Sequence, residues 1–325
     1  MRILVQTPAR LHLGFIDLSG QCGRVYGSIG VAVARPGWLL EARRSERTEA
    51  HGESAGEIQR ILHRLSRPMG LQGGVTIRGL GSIPRHMGFG SETQLELSVA
   101  VAASRLFGKS VPVRELATVL GRGARSGIGI AVFEKGGFVV DAGRPCASPD
   151  GRDSAAGGEA PPVIFQHALP EDWFFVLTTP ESVQGLSGKR EERVFENLPP
   201  MGDDKVGRIC RLTLMKVIPG VIMDDIRGFG EAITEIQLLV GEHFARYQGG
   251  VYATPTGKEV TEFALRRGAC GVGQSSWGPT VFALVRGEDN ATGLAREIRE
   301  FLATDSASVT HTRASNRGAT WWEEP

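Results

Sequence analysis

The segment IPRHMGFGSETQ, residues 83–94, contains the residues of this chain that most clearly indicate chemistry. Gly88 and Gly90 allow the backbone to take left-handed or crowded conformations and to approach a ligand closely. Ser91 and Gln94 have the S-x-x-Q spacing of a capping box, which predicts that a helix begins here. Because the exposed amides of a helix start attract phosphate, the segment predicts a phosphate site that includes Gly88, Gly90, Ser91, Thr93 and Gln94.

The segment PARLHLGFID near the N-terminus alternates polar and apolar residues in the manner of a half-buried strand. Arg10 carries a planar fork of donors that matches a carboxylate or a phosphate, and His12 can exchange a proton near neutral pH. Two interpretations fit this pattern equally well. It is either a catalytic strand face, or a half-exposed sheet face on which Asp17 caps a turn.

The segment GRGARSGIG, residues 121–129, places Arg122, Arg125 and Ser126 among glycines. A flexible cationic loop of this kind suits a polyanion. Solvated arginines in a surface turn give the same pattern, and the segment alone favours the turn.

The segment GACGVGQSSWGPT, residues 268–280, is rich in small residues and precedes an apolar stretch. Trp277 is costly in an exposed turn, so the pattern favours backbone packed against a ligand over a simple tight turn. The candidate contacts are Gly271, Gly273, Gln274, Ser275 and Ser276.

Composition and charge exclude several classes of protein. A net charge of +1 over 325 residues disfavours bulk nucleic-acid binding, and 41% hydrophobic with 22% charged residues is ordinary for a soluble globular protein. No apolar run reaches the length of a membrane span, and the N-terminus does not read as a signal peptide. The scattered cysteines have no metal-ligand spacing and are typical of thiols in a reducing compartment. We expect a cytoplasmic protein.

Hydrophobic periodicity predicts the elements that must position these segments. Strands are predicted at residues 3–7, 11–16, 31–33, 38–42, 138–141, 173–178, 280–285 and 308–312. Helices are predicted at residues 57–65, 95–107, 113–120, 226–244, 259–267 and 292–302. The irregular alternation of strands and helices favours an α+β fold over a doubly wound sheet.

Residues 145–162, PCASPDGRDSAAGGEAPP, are small, polar and interrupted by prolines. Such a composition predicts a loop or linker. We therefore predict an N-terminal domain at residues 1–150, which contains the phosphate loop, and a C-terminal domain at residues 163–325.

In order and spacing, these segments resemble the three motifs of the GHMP kinase superfamily. PARLHL resembles the first, the P-x-x-x-G-x-G-S loop the second, and GVGQSSWGP the third. The resemblance covers most of the chain. It implies an N-terminal α+β domain of left-handed-crossover topology and a C-terminal ferredoxin-like α/β sandwich.

Within that superfamily, RLHLGFIDLSG…GRVYGSIG, GFGSETQ, GRGARSGIGIAVFEKGGFVVD and GQSSWGPT are similar to the β-ribofuranosylaminobenzene 5′-phosphate synthases of methanopterin biosynthesis. The resemblance implies a decarboxylating transferase that joins 5-phosphoribosyl-1-diphosphate to 4-aminobenzoate or 4-hydroxybenzoate and releases pyrophosphate and carbon dioxide. It also implies Mg²⁺ bound with the diphosphate, no use of ATP, and a homodimer.

This reaction implies a role for each group of candidate residues. The leaving pyrophosphate needs backbone amides, Mg²⁺ and cations, for which the candidates are Arg122, Arg125 and Lys189. Arg10 or Arg24 would hold the acceptor carboxylate, and His12 or Asp17 would accept the proton of the para substituent. Binding of the 5′-phosphate or the ribose hydroxyls is expected from Ser28, Ser126, Gln274, Ser275 and Ser276.

Two positions depart from related patterns. Kinases of the superfamily often carry S-G-x-D, whose Asp activates the attacking hydroxyl, but this chain has Gly129 at that position. Losing such a base costs roughly 10²–10⁴-fold in rate, which disfavours a kinase. Glu92 stands where the synthases usually have a small residue. We expect Glu92 to face solvent in preference to holding the metal, and Asp141 is the other metal candidate.

Two other functions remain open at the level of sequence. One is a small-molecule kinase that uses ATP at the same loop. The other is a binding protein that kept the fold and lost the chemistry, since Gly129 already represents one lost catalytic group.

Overall fold

Two long antiparallel strands, β1 (Arg2–Asp17) and β2 (Arg24–Ser45), form the centre of the first sheet. The structure is a computed structural model, and it describes residues 1–70, 73–146, 159–181, 183–186, 188–303 and 307–324. Each strand contains two of the short strands predicted from the sequence. The pairing shifts register between Pro8 and Ala9 and again between His12 and Gly14.

The other elements of the first half surround this pair. They are β3 (Glu49–Gly52), α1 (Ala55–Ser66), β4 (Gly74–Gly81), α2 (Ser91–Leu106), α3 (Val113–Val119), α4 (Ile128–Lys135), β5 (Phe138–Asp141), β6 (Arg144–Pro145) and β7 (Val163–His167). Helix α2 is apolar on nearly every side, and it is correspondingly buried against β1, β2 and α1. The start of this helix is thereby held rigidly at the sheet.

The second half of the chain is richer in helix. It contains β8 (Trp173–Pro180), α5 (Lys189–Asn197), α6 (Asp203–Leu212), a π-helical turn (Thr213–Val217), α7 (Ile218–Ile222), α8 (Ile226–Gln248), α9 (Pro255–Arg266), β9 (Gly271–Gln274), β10 (Val281–Arg286), α10 (Glu288–Leu302), β11 (Ala307–Arg313) and β12 (Thr320–Glu324). Among the described residues, no helix is both long enough and apolar enough to cross a bilayer.

The second sheet has the strand order β11-β8-β10-β9, with every pair antiparallel. Chain order β8-α8-β9-β10-α10-β11 with this arrangement is the ferredoxin-like topology, so the predicted α/β sandwich is confirmed. Side chains of β8 alternate between two cores. Phe174 and Val176 pack with residues of α9 and α10, whereas Phe175 and Leu177 join the main core with α8.

The first sheet has the order β12-β1-β2-β4-β3, and β5 and β6 pair with another part of β2. Two of its strands follow the predicted linker in sequence, namely β12, which pairs with β1, and β7, which pairs with β5. Both lie within residues 163–325, so the first sheet includes strands from the predicted C-terminal domain. Of the predicted linker, residues 147–158 lie outside the described residues, and the boundary stays a prediction.

Four helices were not predicted from the sequence, namely α4, α5, α6 and α7. Helix α4 follows a glycine-rich loop that masks its start. Helix α5 is almost entirely polar, and Val194 is its one buried side chain. A helix without an apolar stripe gives no periodic signal, and its position depends on contacts with the rest of the fold.

Helix α8 packs unusually closely on strand β9. A Cβ added to Gly271 would lie 2.5 Å from the Cα of Gly230, and one added to Gly273 would lie 2.5 Å from the Cγ of Gln237. Gly271 and Gly273 were predicted to contact ligand. The structure instead places them in the contact between sheet and helix, where only glycine allows this distance.

Replacing Gly271 by alanine should therefore destabilise the fold. We expect Gly271→Ala to lower the free energy of unfolding by about 1–3 kcal/mol, the usual cost of overpacking a core. Gly293→Ala is the matched control, since a Cβ there meets nothing within 4 Å in helix α10. Urea denaturation would measure both, and equal stabilities for the two variants would contradict the packing argument.

Candidate active site

The glycine loop between β4 and α2 is fixed by contacts with Arg10. The backbone N–H of Arg10 donates to the carbonyl of Phe89 at 3.0 Å, and Arg10 Nη1 donates to the carbonyl of Gly88 at 2.9 Å. Gly90 has a φ of 68°, and a Cβ there would lie 2.7 Å from Arg10 Cγ. Glycine is thus required at position 90 by the close approach of strand β1 and at position 88 by the carbonyl of Ser275.

Helix α2 begins without the predicted capping box. Gly90 is the N-cap, no side chain caps it, and Ser91 is the first helical residue. The side chain of Gln94 turns away and donates from Nε2 to the carbonyl of Gly129 at 2.8 Å. Because no side chain from the N-cap satisfies the first amides of the helix, they can serve an anionic ligand.

The loop after β9 joins the same centre. Ser275 Oγ donates to the carbonyl of Gly88 at 2.6 Å and accepts from the backbone N–H of His12 at 2.9 Å. Ser276 donates its backbone N–H to the carbonyl of His12 at 3.2 Å. The glycine loop, strand β1 and the loop after β9, which carry the three motifs of the superfamily resemblance, therefore meet at one place.

His12 is buried behind this junction, with 3% of its surface exposed. Within the described residues its Nε2 has no hydrogen-bond partner, and the ring helps to line a cavity of about 30 Å³ with Gln248, Gln274 and Trp277. Burial, assisted by the charge of Arg10, lowers the pKa of His12 well below its ordinary value. The imidazole is therefore neutral at physiological pH.

Gln274 positions the loop. Its Oε1 accepts from the backbone N–H of Ala253 at 2.6 Å, and its Nε2 donates to the carbonyl of Ser276 at 3.1 Å. Ser276 has a φ of 56°, a conformation that costs energy in a residue other than glycine and is found disproportionately at functional sites.

A cleft with two lobes opens beside the glycine loop. The narrow lobe, about 170 Å³, is lined by the loop together with Arg10, Ser276 and Trp277. The wide lobe, about 970 Å³, has an aromatic and apolar wall that includes Leu18, Tyr26 and Phe195. The residues that line both lobes are Glu92, Thr93, Arg122, Gly188 and Glu191.

The predicted cation Arg122 lies in the cleft but is already paired. Its Nε donates to the buried Glu96, and both terminal nitrogens lie 3.3 Å from Glu92 Oε2. These carboxylates raise the pKa of Arg122 against the opposing effect of burial. Glu92, expected to face solvent, is half-buried and forms this ion pair.

Arg125 also lies in the cleft, with its guanidinium 4.5 Å from the centre of the Phe195 ring and 3.8 Å from Glu191 Oε1. Ser126 Oγ accepts from the backbone N–H of Ile128, the first residue of helix α4, at 3.3 Å. Lys189 is exposed at the first position of α5 and does not line the cleft, whereas Gly188 and Glu191 do.

Asp17 and Arg24 do not line either lobe, although their sequence neighbours Leu18 and Val25 line the wide lobe. Asp17 Oδ1 accepts from the backbone N–H and the hydroxyl of Ser19, at 2.6 and 2.7 Å, so the residue caps a turn. Arg24 donates to the carbonyls of Ala142 and Gly143, both at 2.8 Å. Asp17 therefore caps a turn, as one of the two interpretations of the sequence proposed. The catalytic roles of Asp17 and Arg24 stay predictions.

Asp141 and Ser28 are paired opposite each other in strands β5 and β2, and both are fully buried. The two carboxylate oxygens of Asp141 accept from the backbone N–H groups of Gly127 and Gly143, at 2.8 and 2.9 Å. Burial raises the pKa of Asp141 to about 6, against these hydrogen bonds. Asp141 thus holds the start of helix α4 and is engaged on both oxygens, which argues against a metal-binding role.

Glu191 is the cleft residue that the sequence did not indicate. Its Oε1 accepts from Trp277 Nε1 at 3.2 Å, and burial raises its pKa despite the nearby Arg125. The only signal in the sequence was a polar stretch, KREER, in which no single glutamate stood out.

Comparison with known proteins agrees with this architecture. Residues 57–137 match the GHMP kinases N terminal domain, and residues 217–304 match GHMP kinases C terminal. A homoserine kinase from Cytophaga hutchinsonii superimposes with a TM-score of 0.70 over 99% of this chain and 97% of its own, at 18% identity. The galactokinase of Lactococcus lactis gives 0.65 over 98% and 95%, at 15% identity. The fold and the glycine loop define a protein of the GHMP kinase class.

Relatives with higher sequence identity define the family within this class. The β-ribofuranosylphenol 5′-phosphate synthase of Methanothermobacter thermautotrophicus is 33% identical, with 98% of each chain covered. The enzyme of the same name from Archaeoglobus fulgidus is 34% identical, with 97% of each chain covered. The chain belongs to this family of β-ribofuranosylphenol 5′-phosphate synthases.

The raised pKa of Asp141 predicts a pH dependence of stability. The folded pKa of about 6 exceeds the ordinary value of 3.8, so the folded state holds this proton more tightly than the unfolded state. The stabilisation is complete below the ordinary pKa and is lost as pH rises through the folded pKa. Between about pH 5 and pH 7, the Asp141 contribution should fall by about 1 kcal/mol.

Urea denaturation of the wild-type protein and of Asp141→Asn at both pH values tests this. On going from pH 5 to pH 7, the wild-type protein should lose unfolding free energy relative to Asp141→Asn. A difference that is independent of pH would show that Asp141 keeps an ordinary pKa in the folded protein.

Proposed function

We propose that this chain transfers the 5-phosphoribosyl group of 5-phosphoribosyl-1-diphosphate to 4-hydroxybenzoate, with release of pyrophosphate and carbon dioxide, as a step of methanopterin biosynthesis. The observation that carries the proposal is the likeness over 97–98% of the chain to relatives named for a ribofuranosylphenol phosphate. A phenol product favours the hydroxy acceptor over 4-aminobenzoate.

The geometry of the cleft supports a diphosphate in the narrow lobe. The amides at the start of α2 and the guanidinium of Arg10 face that lobe, and Arg122 lies at its boundary. Fixed donors of this kind stabilise charge that develops on a leaving group, since they need no reorganisation during the reaction. The 5′-phosphate and ribose would extend toward Ser276 and the wide lobe.

The wide lobe supports an aromatic acceptor. Tyr26 and Phe195 stand 5.8 Å apart with perpendicular rings, and Arg125 lies over Phe195. A benzoate ring can pack against these rings while a guanidinium holds its carboxylate. Attack by the ring carbon that bears the carboxylate then places the new bond at the boundary of the two lobes.

Position 129 supports ribosyl transfer in preference to phosphoryl transfer. A Cβ added to Gly129 would lie 3.2 Å from Thr93 Cγ2 at the start of α2. The position therefore has neither the carboxylate of a kinase base nor the space for one without displacing Thr93. A hydroxyl acceptor would find no base there.

The residues present fit a Mg²⁺ ion that enters with the diphosphate. Within the described residues, no group of three or more His, Cys, Asp or Glu side chains could hold a metal, so an all-protein cage is not available. Glu92 faces both lobes and offers one carboxylate, which is the usual protein share when phosphates supply other ligands. Bound there, the ion would neutralise charge on the leaving pyrophosphate.

Release of labelled carbon dioxide tests the proposal. Wild-type protein, Mg²⁺, phosphoribosyl diphosphate and carboxyl-labelled 4-hydroxybenzoate should release labelled carbon dioxide without ATP, and stoichiometric pyrophosphate should form. Labelled 4-aminobenzoate in parallel determines the acceptor. ADP formation from ATP with an alcohol substrate would indicate the kinase, and inactivity in both assays would indicate a binding protein.

The metal proposal predicts a distinct phenotype for Glu92→Gln. We expect the Mg²⁺ concentration for half-maximal activity to rise by about tenfold, because one charged ligand is lost. Glu288→Gln is the control, since that glutamate is exposed in helix α10 far along the chain. An unchanged Mg²⁺ requirement with lower activity would remove Glu92 from the metal site.

A further inference from the structure

Glu191 stands at the boundary between the two lobes of the cleft, where the bond to ribose C1 would break and form. It lines the narrow lobe with the glycine loop and the wide lobe with Tyr26 and Phe195. If the diphosphate occupies the first lobe and the acceptor ring the second, the ribose must lie between them. A side chain at this boundary is therefore next to the reacting carbon.

The carboxylate of Glu191 is held in place from both halves of the chain. Trp277 Nε1 donates to Oε1 at 3.2 Å, and Arg125 Nη1 lies 3.8 Å from the same oxygen. Both contacts use Oε1. Among the described residues Oε2 makes no hydrogen bond or ion pair, so it can face the ribose.

The neighbouring cations favour the charged form of this carboxylate, against the larger opposing effect of its burial. Arg125 acts directly on it, and the effect is mutual with Arg10, because Glu191 opposes the burial that lowers the pKa of Arg10 to about 10. Burial, with a smaller contribution from the charge of Glu92, raises the pKa of Glu191, and the hydrogen bond from Trp277 opposes that rise together with the two arginines. An ionised carboxylate in a cleft that excludes part of the water interacts strongly with any positive charge that develops beside it.

We propose that Glu191 is a catalytic residue that stabilises the oxocarbenium-like ribose in the transition state, an inference that rests on the proposed function. The bond from C1 to the diphosphate oxygen breaks, and its electron pair leaves with pyrophosphate. Positive charge then spreads over C1 and the ring oxygen beside Glu191. The bond from the acceptor ring carbon to C1 forms, and the bond to the carboxylate breaks, returning its electron pair to the ring as carbon dioxide departs.

Two matched ligands separate this role from a structural one. The cation 1,4-dideoxy-1,4-iminoribitol 5-phosphate mimics the charged ribose, and 1,4-anhydroribitol 5-phosphate has the same shape with a neutral ring oxygen. Their dissociation constants, measured with pyrophosphate and Mg²⁺ present, give a preference for the cation. Carbon dioxide release by each protein is measured in parallel.

We expect the wild-type protein to prefer the cationic ligand by tenfold or more, and Glu191→Gln to lose most of that preference while binding the neutral ligand as before. Its turnover should fall by at least tenfold, with a smaller change in the KM of phosphoribosyl diphosphate. Glu191→Asp should retain part of the preference. Glu242→Gln removes an exposed, lysine-paired carboxylate on helix α8 and should behave as wild type.

The alternative outcomes overturn the inference in distinguishable ways. A preference for the cation that survives in Glu191→Gln shows that another group stabilises the charge. A variant whose Mg²⁺ requirement rises, with the preference intact, makes Glu191 a metal ligand instead. Wild-type protein that releases no carbon dioxide contradicts the proposed function itself, whereas release without any preference for the cation contradicts the role of Glu191 alone.

Discussion

The carbonyl of Gly88 is the acceptor on which the geometry of the site depends. It receives Arg10 Nη1 from strand β1 and Ser275 Oγ from the loop after β9, at 2.9 and 2.6 Å. A Cβ on Gly88 would collide with the carbonyl oxygen of Ser275. One backbone oxygen thus joins the first sheet, the glycine loop and the second sheet, and it thereby sets the direction in which the amides of α2 point.

Paired charges determine which ligands the narrow lobe can select. Arg122 is held by Glu92 and Glu96, so its guanidinium is not a bare cation awaiting an anion. A ligand with a single negative charge gains little by competing with a carboxylate that is already in place. A diphosphate with its metal ion brings several charges of both signs and can replace these pairs without leaving a buried charge uncompensated. The arrangement therefore favours polyanions over simple carboxylates in the narrow lobe.

The sequence predicted the parts of the site that depend on local patterns. Glycines at close contacts and the apolar periodicity of α2 and α8 are visible in a short window, because they follow from backbone conformation and burial. The predicted capping box was wrong, because Gly90 and not Ser91 is the N-cap of α2. The loop before the helix is instead held by Arg10, which is distant in sequence. The ion pair of Glu92 and the position of Glu191 could not be predicted, because each depends on a partner from another element. Gly271 and Gly273 show the converse error, in which a glycine required for helix packing resembles one required for a ligand.

The missing carboxylate at position 129 and the close packing of α4 on α2 are one structural feature. Gln94 Nε2 donates to the carbonyl of Gly129 at 2.8 Å, and an added Cβ at Gly129 would press on Thr93. Restoring an aspartate there would require the Thr93 side chain, at the start of α2, to give way by a few tenths of an ångström. Glycine at position 129 therefore suits a helix start that packs this closely against α4. On helix α5, Glu191 lines both lobes of the cleft, and in the proposed mechanism its carboxylate would meet positive charge on ribose rather than a hydroxyl proton.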